Sequence, residues 1–126
     1  MFCLDTSSLI AYLEGAPGSD VEAVDQALQE RIGFIAPVTL SELLSDPSLP
    51  RSVRETILAL PTLPLLEGYW ERAGLMRAKI LRDGHKAKLA DTLIAQSCLD
   101  HRATLVARDR DFKIFKKLAK LKFFKS

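Results

Sequence analysis

Apolar residues in this chain come as short solid runs and as longer helical stripes, and the two kinds alternate. Phe2-Cys3-Leu4 is a solid run that predicts a buried strand over 2–5, since a strand covered on both faces loses the polar alternation of a half-exposed one. Ser7 to Leu13 predicts a short helix, ended by the Gly15-Ala16-Pro17-Gly18 turn. Val21, Val24, Leu28 and Ile32 recur at helical spacing, with Ser19 or Asp20 as the expected cap and Gly33 as the stop. Phe34-Ile35-Ala36 predicts a second strand bounded by Pro37, and Thr39 opens a helix that ends at Asp46-Pro47. Val53, Ile57 and Leu60 mark a helix ahead of Pro61. Leu63-Pro64-Leu65-Leu66 predicts a strand at a sheet edge or at its own first residues, where proline is tolerated.

Tyr69, Ala73, Met76 and Ile80 share one face of a long helix that ends near Asp83-Gly84. Leu89 to His101 carries Leu93, Ile94, Ala95, Cys98 and Leu99 on several faces, which predicts a buried helix. Thr104 to Ala107 predicts a strand, Phe112, Phe115 and Leu118 a short helix, and Leu121 to Phe124 a last strand. Strands alternating with helices predict an α/β fold, three layers α/β/α around a mainly parallel central sheet. At 126 residues the expectation is a single domain over 1–126 with one core.

Composition adds exclusions. Apolar residues make up 48%, normal for a folded domain and contrary to disorder. No apolar stretch is long enough to cross a bilayer, so no membrane partner is expected. The N-terminus lacks the basic and long apolar regions of a signal peptide. Cys3 and Cys98 lie inside apolar segments and read as reduced core residues, which points to the cytoplasm. The net charge of +2 hides an asymmetry: residues 1–50 hold eight acids and one base, residues 51–126 eight acids and 17 bases. The basic half is densest at Lys113, Lys116, Lys117, Lys120, Lys122 and Lys125. That run is either a phosphate-binding surface or a solvated helix face with a lysine-protected edge strand.

The candidate chemistry is acidic. Ligands of open parallel sheets bind beyond the carboxyl ends of the strands, and Asp5 and Asp109 lie there. Glu42 and Asp91 lie where helices begin. Four converging carboxylates repel one another in a partly desolvated cleft, and a hard divalent cation, Mg2+ or Mn2+, would offset that repulsion. Each acid also has a purely local reading. Glu42, three residues after Thr39, fits a capping box. Asp91 suits the positive end of its helix. Asp5 starts a turn, and Asp109 with Asp111 caps the short helix that carries Phe112 and Phe115.

Phe2-Cys3-Leu4-Asp5-Thr6-Ser7-Ser8-Leu9-Ile10, Thr39-Leu40-Ser41-Glu42-Leu43, Leu89-Ala90-Asp91-Thr92-Leu93-Ile94-Ala95 and Leu105-Val106-Ala107-Arg108-Asp109-Arg110-Asp111-Phe112 resemble, in order and over essentially the whole chain, the motifs of PIN-domain ribonucleases. The nearest group is the VapC-type toxin of prokaryotic VapBC toxin–antitoxin systems. The resemblance implies a metal-dependent endoribonuclease in which Asp5, Glu42, Asp91 and Asp109 hold the metal. It gives Asp111 an accessory role, and makes Thr6 and Ser7 the small polar residues beside the first acid. Arg108 and Arg110, flanking the fourth acid, either hold RNA phosphates or are simply solvated. His85 and His101 read as surface or loop residues. The family commonly has Thr or Ser where Ala107 stands, so a supporting hydroxyl is missing here.

The implied partners are an RNA substrate, a cognate VapB-like antitoxin and a second copy of the chain. The antitoxin would lie in an apolar groove around Leu9, Tyr12, Leu13, Leu43, Leu44 and Ile57, residues that equally suit a core. The helix bearing Tyr69 and Trp70 is the candidate dimer element. Two other readings stand beside the ribonuclease: a catalytically weak PIN-like module that binds RNA or protein, and a structure-specific DNA nuclease.

Overall fold

The computed structural model describes residues 1–125, the last of them by its backbone alone. Four strands, β1 (Phe2–Leu4), β2 (Gly33–Phe34), β3 (Thr104–Ala107) and β4 (Phe123–Lys125), form one sheet in the order β2-β1-β3-β4, with every neighbouring pair parallel. Leu4 stands opposite Val106, and Val106 opposite Phe124. Successive strand residues face opposite sides. Cys3, Leu105, Ala107 and Phe123 therefore enter one apolar cluster, and Leu4, Val106 and Phe124 the other.

Helices cover both faces. On the first, α5 (Tyr69–Arg82), α6 (Leu89–His101) and α7 (Lys113–Ala119) contribute Ile80, Ile94, Cys98 and Phe115. On the second, α1 (Thr6–Leu13), α2 (Ser19–Gln29) and α4 (Arg51–Leu58) contribute Leu9, Val24, Ala27 and Ile57. The helix α3 (Pro37–Leu44) gives Val38 to one cluster and Leu43 to the other. The result is the expected α/β/α arrangement, and double coverage explains why the strands read as solid apolar runs.

Several local expectations are corrected. The segment 63–66 is not a strand: Thr62 makes a single bridge to Ile35 and the Leu63 N–H donates to the Ile35 carbonyl (2.9 Å). Pro64 then has no N–H to continue the ladder, and Leu65 and Leu66 are exposed. The helix α3 begins at Pro37 rather than Thr39, with proline at a first-turn position where its missing N–H costs nothing. Thr39 is thus already inside the helix, and no capping box joins it to Glu42. Gly18 precedes α2 without a side-chain cap, so neither Ser19 nor Asp20 caps it. Arg31, at φ 57°, turns the chain after α2; Gly33 lies in β2, where an added Cβ would meet Leu4 Cδ1 at 3.2 Å.

Of the six proposed groove residues, Leu9, Leu43 and Ile57 are core, Tyr12 and Leu13 are half-buried, and Leu44 is exposed. Tyr69 is buried, its hydroxyl donating to the Leu93 carbonyl (2.6 Å), whereas Trp70 is 62% exposed. Cys3 and Cys98 are free thiols in one cluster, as expected of core residues. Among the described residues no helix is long and apolar enough to cross a membrane.

Candidate active site

Parallel pairing of β1 with β3 brings two strand exits side by side. The Asp5 N–H donates to the Val106 carbonyl (2.9 Å), the last rung before both chains leave the sheet. Asp5 then caps α1: its Oδ2 accepts from the Ser7 N–H (3.2 Å) and from the Ser7 hydroxyl (2.7 Å). The same Ser7 Oγ accepts from the Arg108 N–H (3.0 Å), so one hydroxyl joins the end of β1 to the end of β3. Past β3, Asp109 Oδ1 accepts from the Asp111 N–H (2.9 Å) and caps the 3-10 turn Arg110–Phe112. Asp91 lies in the first turn of α6, near its positive end. The local capping readings of Asp5 and Asp109 therefore hold, and they coexist with convergence instead of replacing it.

Oxygens of Asp91, Asp109 and Asp111 lie within 4.8 Å of one another. Asp5 shares the field of Asp91 and Asp109, and Glu42 that of Asp5. Burial pushes the half-buried Asp91 carboxyl up to about 6, reinforced by the charges of Asp109 and Asp5 and opposed by Lys88. Burial also raises Asp5, against the Ser7 and Thr6 hydrogen bonds and with a smaller push from Asp109. Glu42 is raised by burial and by the Asp5 charge, while the Thr6 hydroxyl, donating to Oε1 at 3.4 Å, works the other way. Each acid feels another of the set.

The sequence-derived quartet is thus in one electrostatic neighbourhood. The tightest group, however, holds Asp111, read from the sequence as an accessory, in place of Asp5 and Glu42. Thr6 touches Glu42 and Ser7 holds Asp5, so both brace acids. Ala107 is buried in the apolar cluster, and its position offers the acids no hydroxyl. Arg110 is exposed beside the acids. Arg108, though exposed, turns its guanidinium away from the acid cluster: its Nε donates to Asp20 Oδ2 (2.7 Å), and its Nη2 to the Pro17 carbonyl (2.5 Å) and to Asp20 Oδ1 (3.3 Å). Sequence reasoning missed Asp20, Ser8 and Lys88. Lys88 pairs with Asp111 (3.4 Å). Nothing in the linear pattern links positions 20 and 108; for Lys88 the only signal was its place one residue before an acidic helix start.

The donor set is oxygen only, which suits a hard cation. Three carboxylates within 4.8 Å of one another would suit one such ion. Two clefts meet at Arg110. One, of ≈ 310 Å³, runs past His85, Lys86, Lys88, Asp91 and Asp111; the other, of ≈ 460 Å³, past Gly18, Ser19, Lys113 and Phe123.

Solved structures share this fold. A chain of VapBC-1 from nontypeable Haemophilus influenzae superposes with a TM-score of 0.74 at 20% identity, covering 98% of this chain and 96% of that one. A chain of FitAcB from Neisseria gonorrhoeae gives 0.72 at 24%, with 98% and 96% covered. A chain of VapBC2 from Rickettsia felis, in a structure bound to a promoter DNA fragment, gives 0.73 at 20%, with 99% and 98% covered. At these identities the likeness is one of fold. No curated protein sequence matches this one. The PIN domain family model matches residues 2–120, a span that takes in every acid of the cluster and all but the last strand, and this chain belongs to the PIN-domain family.

Proposed function

We propose that this protein is a Mg2+- or Mn2+-dependent endoribonuclease, the toxin half of a VapBC-type toxin–antitoxin pair. The observation that carries the reading is the gathering of Asp5, Asp91, Asp109 and Asp111 around the exits of β1 and β3, with Glu42 of α3 beside Asp5. Mutual repulsion there costs folding stability, and hydrogen bonds from Ser7, Thr6 and the Asp111 N–H hold the acids in place regardless. Asp91, Asp109 and Asp111 would hold the cation most closely, with Asp5 and Glu42 completing the acidic wall. When bound, such an ion lowers the pKa of a water nucleophile and neutralises charge on a scissile phosphodiester.

The chain's own side chains supply the rest. Asp5 is held at one carboxylate oxygen by the Ser7 N–H and hydroxyl. Lys86, Lys88 and Arg110 line the smaller cleft, and Arg110 and Lys113 the larger, so an anionic strand crossing the acids meets cations on both sides. Cleavage of bulk RNA, followed after EDTA treatment and again after Mg2+ or Mn2+ is restored, tests the reading. Wild type should cut only with the ion, and Asp91→Asn should not cut. Metal-independent cutting, or full activity of the variant, would overturn it. Labelled single-stranded DNA as competitor decides between RNA and DNA. The buried alanine at position 107 favours the second reading, a catalytically weak binding module, which predicts RNA binding without product.

The structural neighbours include VapBC2 and VapBC-1 complexes, which supports an antitoxin partner. A cleft between α1 and α4, lined by Ile10, Leu13, Leu49 and Val53 and rimmed by Glu14 and Asp46, suits an apolar segment carrying basic residues. Trp70, 62% exposed on α5, supports a homodimer. Light scattering at micromolar concentration would show twice the chain mass. Buried free thiols support a cytoplasmic location.

A further inference from the structure

The geometry points to Asp20 as a positioning residue of the acidic site, acting through Arg108; the inference rests on the metal-dependent reading above. Asp20 is 1% exposed at its side chain, and its partner Arg108 is 38% exposed. Three bonds converge on its carboxylate: Arg108 Nε at 2.7 Å, Arg108 Nη2 at 3.3 Å and the Ser8 hydroxyl at 2.8 Å. Arg108 also reaches the Pro17 carbonyl, so its guanidinium binds the start of α2 at two places. Its main chain is held on the other side by Ser7 Oγ, which in turn fixes Asp5. With the peptide link between Ser7 and Ser8, the bonds close a ring through Ser7, Arg108, Asp20 and Ser8; Asp5 hangs on it at Ser7, and Asp109 is the residue after Arg108.

The ring has mechanical sense. Asp109 is repelled by Asp5 and by Asp91 of α6, and repulsion of that kind favours a β3 exit loop drawn away from both. Without an anchor, the cation would have to pull the loop back each time it bound, and its affinity would fall by the cost of that ordering. A forked ion pair to a buried carboxylate resists the swing with the chain already in position. Gly18 leaves room for it: a Cβ there would fall 2.5 Å from Asp20 Oδ1 and 2.7 Å from Arg108 Nη2.

A second forked pair in the same molecule separates positioning from simple stability. Arg72 donates to Asp100 through Nη2 (2.6 Å) and Nε (3.1 Å), with side-chain exposures of 41% and 9%. Asp100 lies near the far end of α6, about 13 Å along the helix from Asp91. Mn2+ affinity is measured by isothermal titration calorimetry on wild type, Asp20→Asn, Arg108→Gln and Asp100→Asn, alongside melting temperatures. Asp20→Asn and Arg108→Gln should weaken Mn2+ binding about 10- to 100-fold, and Asp100→Asn should lower the melting temperature while leaving Mn2+ affinity unchanged. Wild-type Mn2+ affinity in both Asp20→Asn and Arg108→Gln would overturn the positioning role, as would an equal loss in Asp100→Asn; either leaves the nuclease reading standing. If Asp20→Asn does not fold, the more exposed Arg108→Gln decides. A wild-type protein that binds no Mn2+ overturns both readings together.

Discussion

Replacing Asp91 with asparagine should make the metal-free protein more stable. In the folded chain, burial together with the charges of Asp109 and Asp5 raises this carboxyl from 3.8 to about 6. A difference of about two in pKa corresponds to about 3 kcal/mol favouring the neutral form. Asp91 is only half-buried, and solvent screening reduces that to about 1–2 kcal/mol. Below the unfolded value near 3.8 the carboxyl is neutral in both states and nothing is lost. Between there and about 6 the folded state binds more protons than the unfolded one, so stability falls as pH rises through that window, and the full penalty remains above it. Asparagine keeps the shape without the charge. Scanning calorimetry in EDTA should therefore find the variant melting about 3–8 °C above wild type at pH 8, with the two converging near pH 4. Adding Mn2+ should reverse the order, since an ion at about 100 times its dissociation constant adds about 2.7 kcal/mol to the state that binds it. A variant that melts with or below wild type at pH 8, or a gap that does not change with pH, would refute the crowding of charges at this site.

Asp20 should behave in the opposite sense. Burial raises its carboxyl, but the bonds from Arg108 and Ser8 and the Arg108 charge outweigh burial, and the net effect is a lowered pKa. Its contribution is present above the unfolded value and lost as pH falls through the folded one. Asp20→Asn should cost about 2–4 kcal/mol at pH 7 and little near pH 2, read from urea midpoints at each pH. Ile57 is the one buried residue of α4; Ile57→Ala should cost about 2–5 kcal/mol, and a urea midpoint equal to wild type would show that α4 is not anchored there. Lys116→Glu with Lys117→Glu should flatten the salt dependence of oligoribonucleotide binding by about two charges, measured by fluorescence anisotropy in EDTA; an unchanged slope would take the α7 lysines out of the nucleic-acid path.

Much of the candidate site was legible because it is built from local devices. Asp5 follows a solid apolar run and precedes Thr6-Ser7, which is strand-exit and helix-cap chemistry together; the chain uses it as both. Asp109 and Asp111 share the same logic after β3. The reading failed where one residue satisfied two local rules. Thr39 and Glu42 had capping-box spacing, but Pro37 suits a first helical turn better and moved the helix start forward. Leu63-Pro64-Leu65-Leu66 had the apolarity of a strand, but Pro64 supplies no N–H to the ladder. Asp20 looked like a cap and instead binds a guanidinium 88 residues away.

Glu42, expected at a helix start, lies in the last turn of α3, whereas the order of elements apart from the segment 63–66, the parallel α/β class, and the placing of Asp5 and Asp109 at strand exits and of Asp91 at a helix start came from the sequence alone. They depend on period, punctuation and capping, which act over a few neighbouring residues. Three things waited for the tertiary structure: that Asp111 joins Asp91 and Asp109 in the tightest group, that Arg108 turns from the acids to Asp20, and that Leu9, Leu43 and Ile57 are core while Trp70 is surface. These depend on how helices lie across the sheet, and an apolar or charged residue carries the same local signature whichever neighbour that packing brings to it.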